Sequence, residues 1–526
     1  MNRQPSDGNE AMQAASGSAR IVPFGRIRTG APDGCRGDIE AARGSFHGRE
    51  TLPGDSSGGT TSDKTYPVDF SHLDIAGRRL GGNDLHEGAS GNGDSRASTE
   101  TTYGLKAKAR MRLPLFIGMF GSTEMARSDW QDLVVGAAIS GISIVCGENV
   151  CGIDPEFELD IRGEQRKAPN MVRCMEEYRR FHKGYGEMIV QMNVEDARLG
   201  VAEYVVGQLG VECVELNWGR GVGLRGGDIR VDSIGHALEF QRRGYLVTPD
   251  PSNPANRAAF ENGVLEYFER RSRIGFVDQE GFLKEVERVR RLGAKRVFLR
   301  TGVDSKRELA LAIEWASDAK LDLLTIGGTP HARGFGRGRR RQQGGVPTFY
   351  VQSMAHDLCR ELASTDKFVP DMAVADRFRT ADPLFKALAL GAPFTKAVCM
   401  DRDLTNSPTV GWDIGSWLKD GAKALPETTS PFGASVEEIF GCYEGLVAEY
   451  GKATAERLPL GAVALRAFGE RLKVGLERLM VAGGHGRVSS IGRDDLMART
   501  PEAARVSGIP CAVDASNSEV ERIIKA

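Results

Sequence analysis

Charge of one sign is missing from this chain: 69 Lys and Arg against 71 Asp and Glu leave a net charge of -2 across 526 residues. That balance excludes a global field for nucleic acid or an anionic membrane, so any anion must be bound locally. No two of the nine cysteines (Cys35, Cys146, Cys151, Cys174, Cys213, Cys359, Cys399, Cys442, Cys511) have CxxC spacing. Reduced, mostly buried thiols are expected, not a zinc or thioredoxin-like centre. His182, His236, His331 and His356 fall at no metal-ligand spacing, and no metal dependence is expected. No apolar run approaches the roughly 18 residues that span a bilayer. The start, MNRQPSDGNEAMQ, is polar and has no apolar h-region, so the expected location is the cytoplasm.

What is present is glycine, 65 residues of it, within a hydrophobic content of 40%, the composition of a globular protein with many backbone turns. The length exceeds what one core usually organises. Residues 1–100 are dominated by Gly, Ser, Asp and Arg and read as a weakly ordered extension, with short apolar pieces around Phe70 and Leu73 able to dock on the main domain. Residues 404–526 read as a mainly helical appendage, with amphipathic spacing in SVEEIFGCYEGLVAEYG and AVALRAFGERLKVGLERLMVAGG, and with Ser489–Asp495 turning into a capped helix at LMART.

Between them, residues 101–403 alternate short apolar runs with amphipathic stretches, the mark of repeated β-α units. The predicted strands are Leu115–Phe120, Ile142–Gly147, Met188–Asn193, Cys213–Trp218, Val297–Thr301, Leu321–Ile326, Met372–Asp376 and Thr395–Met400. Helices are predicted at Ala197–Leu209, Leu283–Leu292, Arg307–Ala319 and Pro383–Leu390. An extended piece, Tyr245–Pro249, with a helix Ala255–Arg271, reads as an insertion, because a ninth strand would break an eight-stranded closure. The fold class is α/β, a (β/α)8 TIM barrel; alternation alone leaves a doubly wound open sheet as the other arrangement.

In such a barrel the active site forms at the carboxyl ends of the strands. There the chain places Gly147-Glu148-Asn149, then Gln191-Met192-Asn193, then Glu215-Leu216-Asn217, then Arg300-Thr301-Gly302, and finally Gly327-Gly328. Glycine at a strand end is by itself an ordinary turn residue. The coincidence of amides, carboxylates, arginine and glycines at one end of five units points to a shared ligand site.

These residues also carry a resemblance. The segment PLFIGMFGSTEMARSDWQDLVVGAAISGISIVCGENVCGIDPE, with IVQMNVEDARLGVAEY, VECVELNWGRG, GYLVTPDP, SRIGFVDQEGFL, GAKRVFLRTG, ALALGAPFTKAV and VSGIP, resembles the FMN-binding glutamate synthase domain family, and in particular its short, free-standing members. The likeness runs from about Thr101 to Pro510. It implies bound FMN and reduction of 2-iminoglutarate to glutamate. The matching positions are Gly147, Glu148 and Asn149 near the isoalloxazine, Gln191 and Asn193 beside them, and Glu215 on the next strand. Catalytic roles would fall on Glu148, Glu215 and Arg300. Arg300 stands where the family has lysine, a cation that stabilises the anionic reduced flavin. Cofactor contacts would also come from Asn217, Gly327, Gly328, Arg377 and Arg379.

The departures lie toward the phosphate end. Two lysines of the family become Asn217 and Gly223. After the sixth strand a glycine-rich loop gives way to Thr329–Gly345 with five arginines, and the resemblance returns at Val346-Pro347; a locally shifted reading frame would produce such a break and recovery. After the seventh strand Asp376-Arg377-Phe378-Arg379 replaces a Gly-Gly pair, so phosphate would be gripped by arginine side chains instead of backbone amides. Only Cys399 lies near the place of an iron–sulfur cluster, and none is expected. Asn2 follows Met1 where a glutaminase domain would place a cysteine, so a separate glutaminase or electron-donor subunit is the expected partner, with no nucleic acid or membrane. The alternative is a degenerate barrel serving as a subunit that binds flavin weakly.

Overall fold

Eight parallel strands follow the eight apolar runs: β1 Leu115–Phe120, β2 Ser143–Cys146, β3 Met188–Met192, β4 Cys213–Asn217, β5 Arg296–Gly302, β6 Leu323–Gly327, β7 Asp371–Asp376 and β8 Thr395–Met400. The computed structural model describes residues 66–77, 97–105, 108–120, 124–217, 226–272, 278–303, 305–328, 346–376, 378–400, 402–420, 429, 432–514, 521 and 524–525. Most of the N-terminal extension, the arginine-rich segment 329–345 and Arg377 lie outside these residues. The strands pair in sequence order, and β8 pairs with β1 (Val398 opposite Leu115), which closes the ring. Closure excludes the open-sheet alternative.

Helices α1 Glu124–Ser140, α2 Pro169–Phe181, α3 Val194–Arg198, α4 Gln279–Leu292, α5 Lys306–Asp318, α6 Thr348–Ala363, α7 Ala381–Leu390 and α8 Arg402–Lys419 follow the strands in turn. Their starts are set locally: Asp278 accepts from the Gly281 amide and Ser305 from that of Glu308, each satisfying a helix-end donor. Gly293, at φ 118°, ends α4 in the left-handed conformation.

Strand periodicity decides what the barrel encloses. Phe116, Val145, Ile189, Cys213, Phe298, Leu323, Ala373 and Ala397 form one buried cluster from all eight strands, and two residues further along the same inward face come Gln191, Glu215, Arg300 and Thr325. The barrel is thus apolar in its lower layer, while its upper layer is polar from β3 to β6 and carries Ala375 and Cys399 on β7 and β8. Below lies the hairpin Thr101–Tyr103 and Ala109–Met111, which covers the lower end with Tyr103 fully buried against Phe116 and Phe298.

Three expectations need correction. The helix predicted at Ala197–Leu209 is α3 followed by a wider helical turn, Glu203–Gln208, because Gly200 takes φ +70° and breaks the run. The helix Ala255–Arg271 stops at Glu261; Gly263 at φ +72° turns the chain, and Phe268–Ser272 is the central strand of an antiparallel sheet between Gly226–Val231 and Leu246–Thr248. The LMA of LMART is a strand, Leu496–Ala498, pairing with Leu73–Ile75, and the helix begins only at Pro501, capped by Thr500.

The appendage is built around α9, Leu460–Ala482, which packs on α1, α7 and α8. Asp132 of α1 faces its first amides and accepts from the Trp412 indole at 3.1 Å. Burial, with Asp129 nearby, pushes the Asp132 carboxyl up to about 7. At the other end of the chain, Phe70 wedges between the rings of Phe349 and Phe378 at 5.4 and 5.5 Å. Among the described residues no helix is long and apolar enough to cross a membrane.

Candidate functional site

The upper polar layer is a connected chain of side chains across the barrel mouth. Gln191 and Glu215 are direct partners in the β3–β4 register, and the Gln191 amide donates to Glu215 Oε1 at 2.5 Å. Thr325 of β6 donates to the other oxygen of Glu215 at 3.3 Å. Asn217, two residues along β4, donates to Glu148 Oε2 at 2.6 Å and to Gln191 Oε1 at 3.3 Å. Glu148, Asn217, Gln191, Glu215 and Thr325 are all buried, so each must be satisfied by the others or by a ligand. Arg300 sits between Asn217 and Thr325 in register and donates to Cys399 Sγ at 3.2 Å across the barrel.

Asn149 and Asn193 are tied together by Asp196. The Asn193 side chain caps α3, accepting from the amides of Glu195 and Asp196 at 2.9 and 3.1 Å. The Asp196 carboxylate in turn accepts from the Asn193 amide at 3.1 Å and from the Asn149 amide at 3.0 Å. This clamp holds Asn149 at φ +64°, a backbone state that asparagine tolerates and most residues do not. Asn149 Oδ1 is buried without a hydrogen-bond partner. Burial pushes the Asp196 carboxyl up to about 7 against the pull of those amides. The side-chain oxygen of Asn193 is thus engaged in the helix cap.

The two glycines after the sixth strand differ. Gly327 ends β6. Gly328 supports the start of α6: its amide donates to Thr348 Oγ1 at 3.2 Å, and a Cβ there would stand 2.2 Å from the Thr348 nitrogen. At the seventh strand, Asp376 is buried, and the Arg379 carbonyl accepts from Arg471 of α9 at 3.2 Å. Burial pulls the Arg471 guanidinium down to about 10, still a cation at neutral pH. The appendage thus adds an arginine to this corner of the barrel, a residue that sequence reasoning did not single out because it lies far along the chain in an ordinary amphipathic helix. Arg377 lies outside the described residues.

Sequence reasoning also missed the inserted sheet's part in the mouth. Arg243 donates to the carbonyls of Gly152 and Asp154 at 2.7 and 2.8 Å. The Tyr245 hydroxyl lies so close to Gly152 that a Cβ there would come within 1.8 Å of it. The insertion is therefore docked on the loop after β2, the same loop that carries Glu148 and Asn149.

No protein-family model matches the chain, and no curated protein matches it. Among solved structures it is similar to an active chimera of (S)-mandelate dehydrogenase, at 16% identity over 88% of this chain and 99% of that one, with a TM-score of 0.44. It is also similar to the flavin-binding domain of baker's yeast flavocytochrome b2, at 12% identity over 84% and 80% with a TM-score of 0.43. A soluble mutant of the membrane-associated (S)-mandelate dehydrogenase from Pseudomonas putida gives 14% identity over 88% and 99%, with a TM-score of 0.42. The closed barrel rests on the chain's own strand pairing.

Proposed function

We propose that the mouth of this barrel holds FMN and that the protein is an oxidoreductase of the glutamate synthase class, forming glutamate or a related amino acid from an imino acid. The reading is carried by the buried chain from Glu148 through Asn217 and Gln191 to Glu215, set at the carboxyl ends of adjacent strands, together with the resemblance of the same segments to that family. The residues fit a flavin ring: fixed amides that both donate and accept, the unpartnered acceptor Asn149 Oδ1, and the Arg300 cation in the same layer. FMN, when bound, supplies hydride transfer at its N5.

Asn149, Gln191 and Asn217 would hold the ring edge. Arg300 would balance negative charge on the reduced ring, while Glu215, hydrogen-bonded through both oxygens, keeps Gln191 in one orientation. Glu148, at the loop edge of the chain, would be the carboxylate that exchanges a proton with substrate. Arg379 and Arg471 would grip the phosphate by side chain. Ammonia or electrons would come from a separate subunit. Titrating the purified protein with FMN tests the reading: retention of flavin with absorbance bands near 370 and about 450 nm is expected, and a protein that retains none removes it.

One observation favours the second reading, a barrel that binds flavin weakly and serves as a subunit. Asp376 is a buried carboxylate at the end of β7, where it would repel a phosphate. Tight FMN retention by the wild type, unimproved by Asp376→Asn, excludes that reading.

A further inference from the structure

Among the described residues Arg270 is the largest side chain fully shielded from solvent, and none of its three guanidinium nitrogens has a hydrogen-bond partner there. It lies on the central strand of the inserted sheet, opposite Ile229 and Val247, on the same face as buried Phe268. The guanidinium stands over the ring of Tyr245 at 4.7 Å and that of Phe240 at 5.6 Å. Ring faces partly offset the cost of a buried cation, but they accept none of its five N–H donors. The Tyr245 hydroxyl, against Gly152, is also buried without a partner. The carboxylate whose field reaches Arg270, that of Asp196, is engaged by the amides of Asn149 and Asn193 and accepts no hydrogen bond from it. Unsatisfied donors therefore converge where the inserted sheet meets the loop of Glu148 and Asn149, and no acceptor among the described residues answers them.

We propose that Arg270 and the Tyr245 hydroxyl bind a carboxylate of the substrate, which makes the inserted sheet the element that selects an acid. A planar carboxylate matches the guanidinium fork with two parallel hydrogen bonds and leaves an oxygen lone pair for the phenol. The proposal deepens the reading of the mouth as an amino-acid oxidoreductase site and rests on it.

The test is thermal unfolding of the FMN-reconstituted protein with glutarate, with its uncharged analogue glutaramide, and with inorganic phosphate. A ligand bound only by the folded state raises the midpoint. Glutarate should raise that of the wild type, and glutaramide and phosphate should not. Arg270→Met, which fills similar volume without charge, should raise the midpoint of the ligand-free protein by removing an unpaired buried cation and should abolish the glutarate shift. Tyr245→Phe keeps the ring under the cation and should weaken glutarate binding about tenfold, the scale of one hydrogen bond. An Arg270→Met protein that is less stable without ligand, or a glutarate shift that survives the substitution, overturns the proposal, as does an equal shift from phosphate. Flavin content, read from the same samples, separates the two failures. FMN retained without a glutarate response removes only the carboxylate site, whereas loss of FMN from the wild type removes the reading beneath it.

Discussion

At the bottom of the barrel the buried guanidinium of Arg296 pairs with the half-buried carboxylate of Glu187, to which Cys213 donates at 2.5 Å and the Tyr103 hydroxyl at 3.4 Å. At the mouth, the same strands carry Gln191, Glu215, Asn217 and Arg300, and around them stand polar groups with no protein partner: Asn149 Oδ1, the Tyr245 hydroxyl and the Arg270 guanidinium. Both ends bury charge. The lower end answers its charges within the chain, which is how a structural network is built. The buried Tyr178 hydroxyl near the lower network also lacks a partner among the described residues, but at the upper rim a guanidinium, a phenol and an amide oxygen stand unanswered together, the condition a ligand relieves. On the proposed reading, this contrast, more than the identity of any single residue, separates an end built for stability from one built for chemistry.

The strongest way to break the contrast is at the bottom. Arg296→Met should leave the half-buried Glu187 without its cation and lower unfolding stability by about 3 kcal/mol in denaturant titration, with FMN affinity unchanged in the folded fraction. At the mouth the effect should fall on turnover instead. Glu215→Gln preserves shape and is expected to cut the rate about 100-fold, roughly 2.7 kcal/mol of transition-state stabilisation, while unfolding stability moves by less than about 1 kcal/mol. A mouth substitution that destabilises as much as Arg296→Met would erase the distinction between the two ends.

Gly328 sharpens it further. Its missing Cβ makes room for the start of α6, so Gly328→Ala should cost about 1–3 kcal/mol of stability by overpacking and loosen FMN only secondarily. A large loss of FMN affinity at unchanged stability would show that the backbone there approaches the cofactor instead.

The mildest effect per step is a pH dependence. Asp132 and Asp196 have folded-state values of about 7, raised by burial from 3.8, so between those limits the folded state binds more protons than the unfolded one. Stability from these groups is fully present below about pH 4 and is lost as pH rises toward 7, by no more than about 1.4 kcal/mol per pH unit for each. Asp132→Asn should flatten part of that slope in unfolding curves measured from pH 5 to 7, and a slope identical to wild type would contradict the assignment.

All eight barrel strands were legible in the sequence because each is mostly buried and reads as a short, largely apolar run, VFLRT and LDLLTI among them. Helix ends set by caps were legible to within a few residues. The inserted sheet was not. Phe268–Ser272 reads FERRS, with no alternation of apolar residues to mark a strand, since one inward position is filled by Arg270. For the site, position at the carboxyl ends of the strands and resemblance pointed to Gln191, Glu215 and Asn217, which the structure joins in one hydrogen-bonded chain. The capping duty of Asn193 and the packing duty of Gly328 were hidden, because each depends on a contact with a different element. Arg270, Tyr245 and Arg471 come from an insertion and an appendage, and only tertiary packing brings them toward the mouth.

The central claim, that the mouth reduces an imino acid with a bound flavin, is tested most directly by photoreducing the FMN-reconstituted protein without oxygen and mixing it with 2-oxoglutarate and ammonium. Recovery of the absorbance band at about 450 nm, with glutamate formed in equal amount, is the predicted result. A band that stays bleached while the flavin remains bound would contradict it.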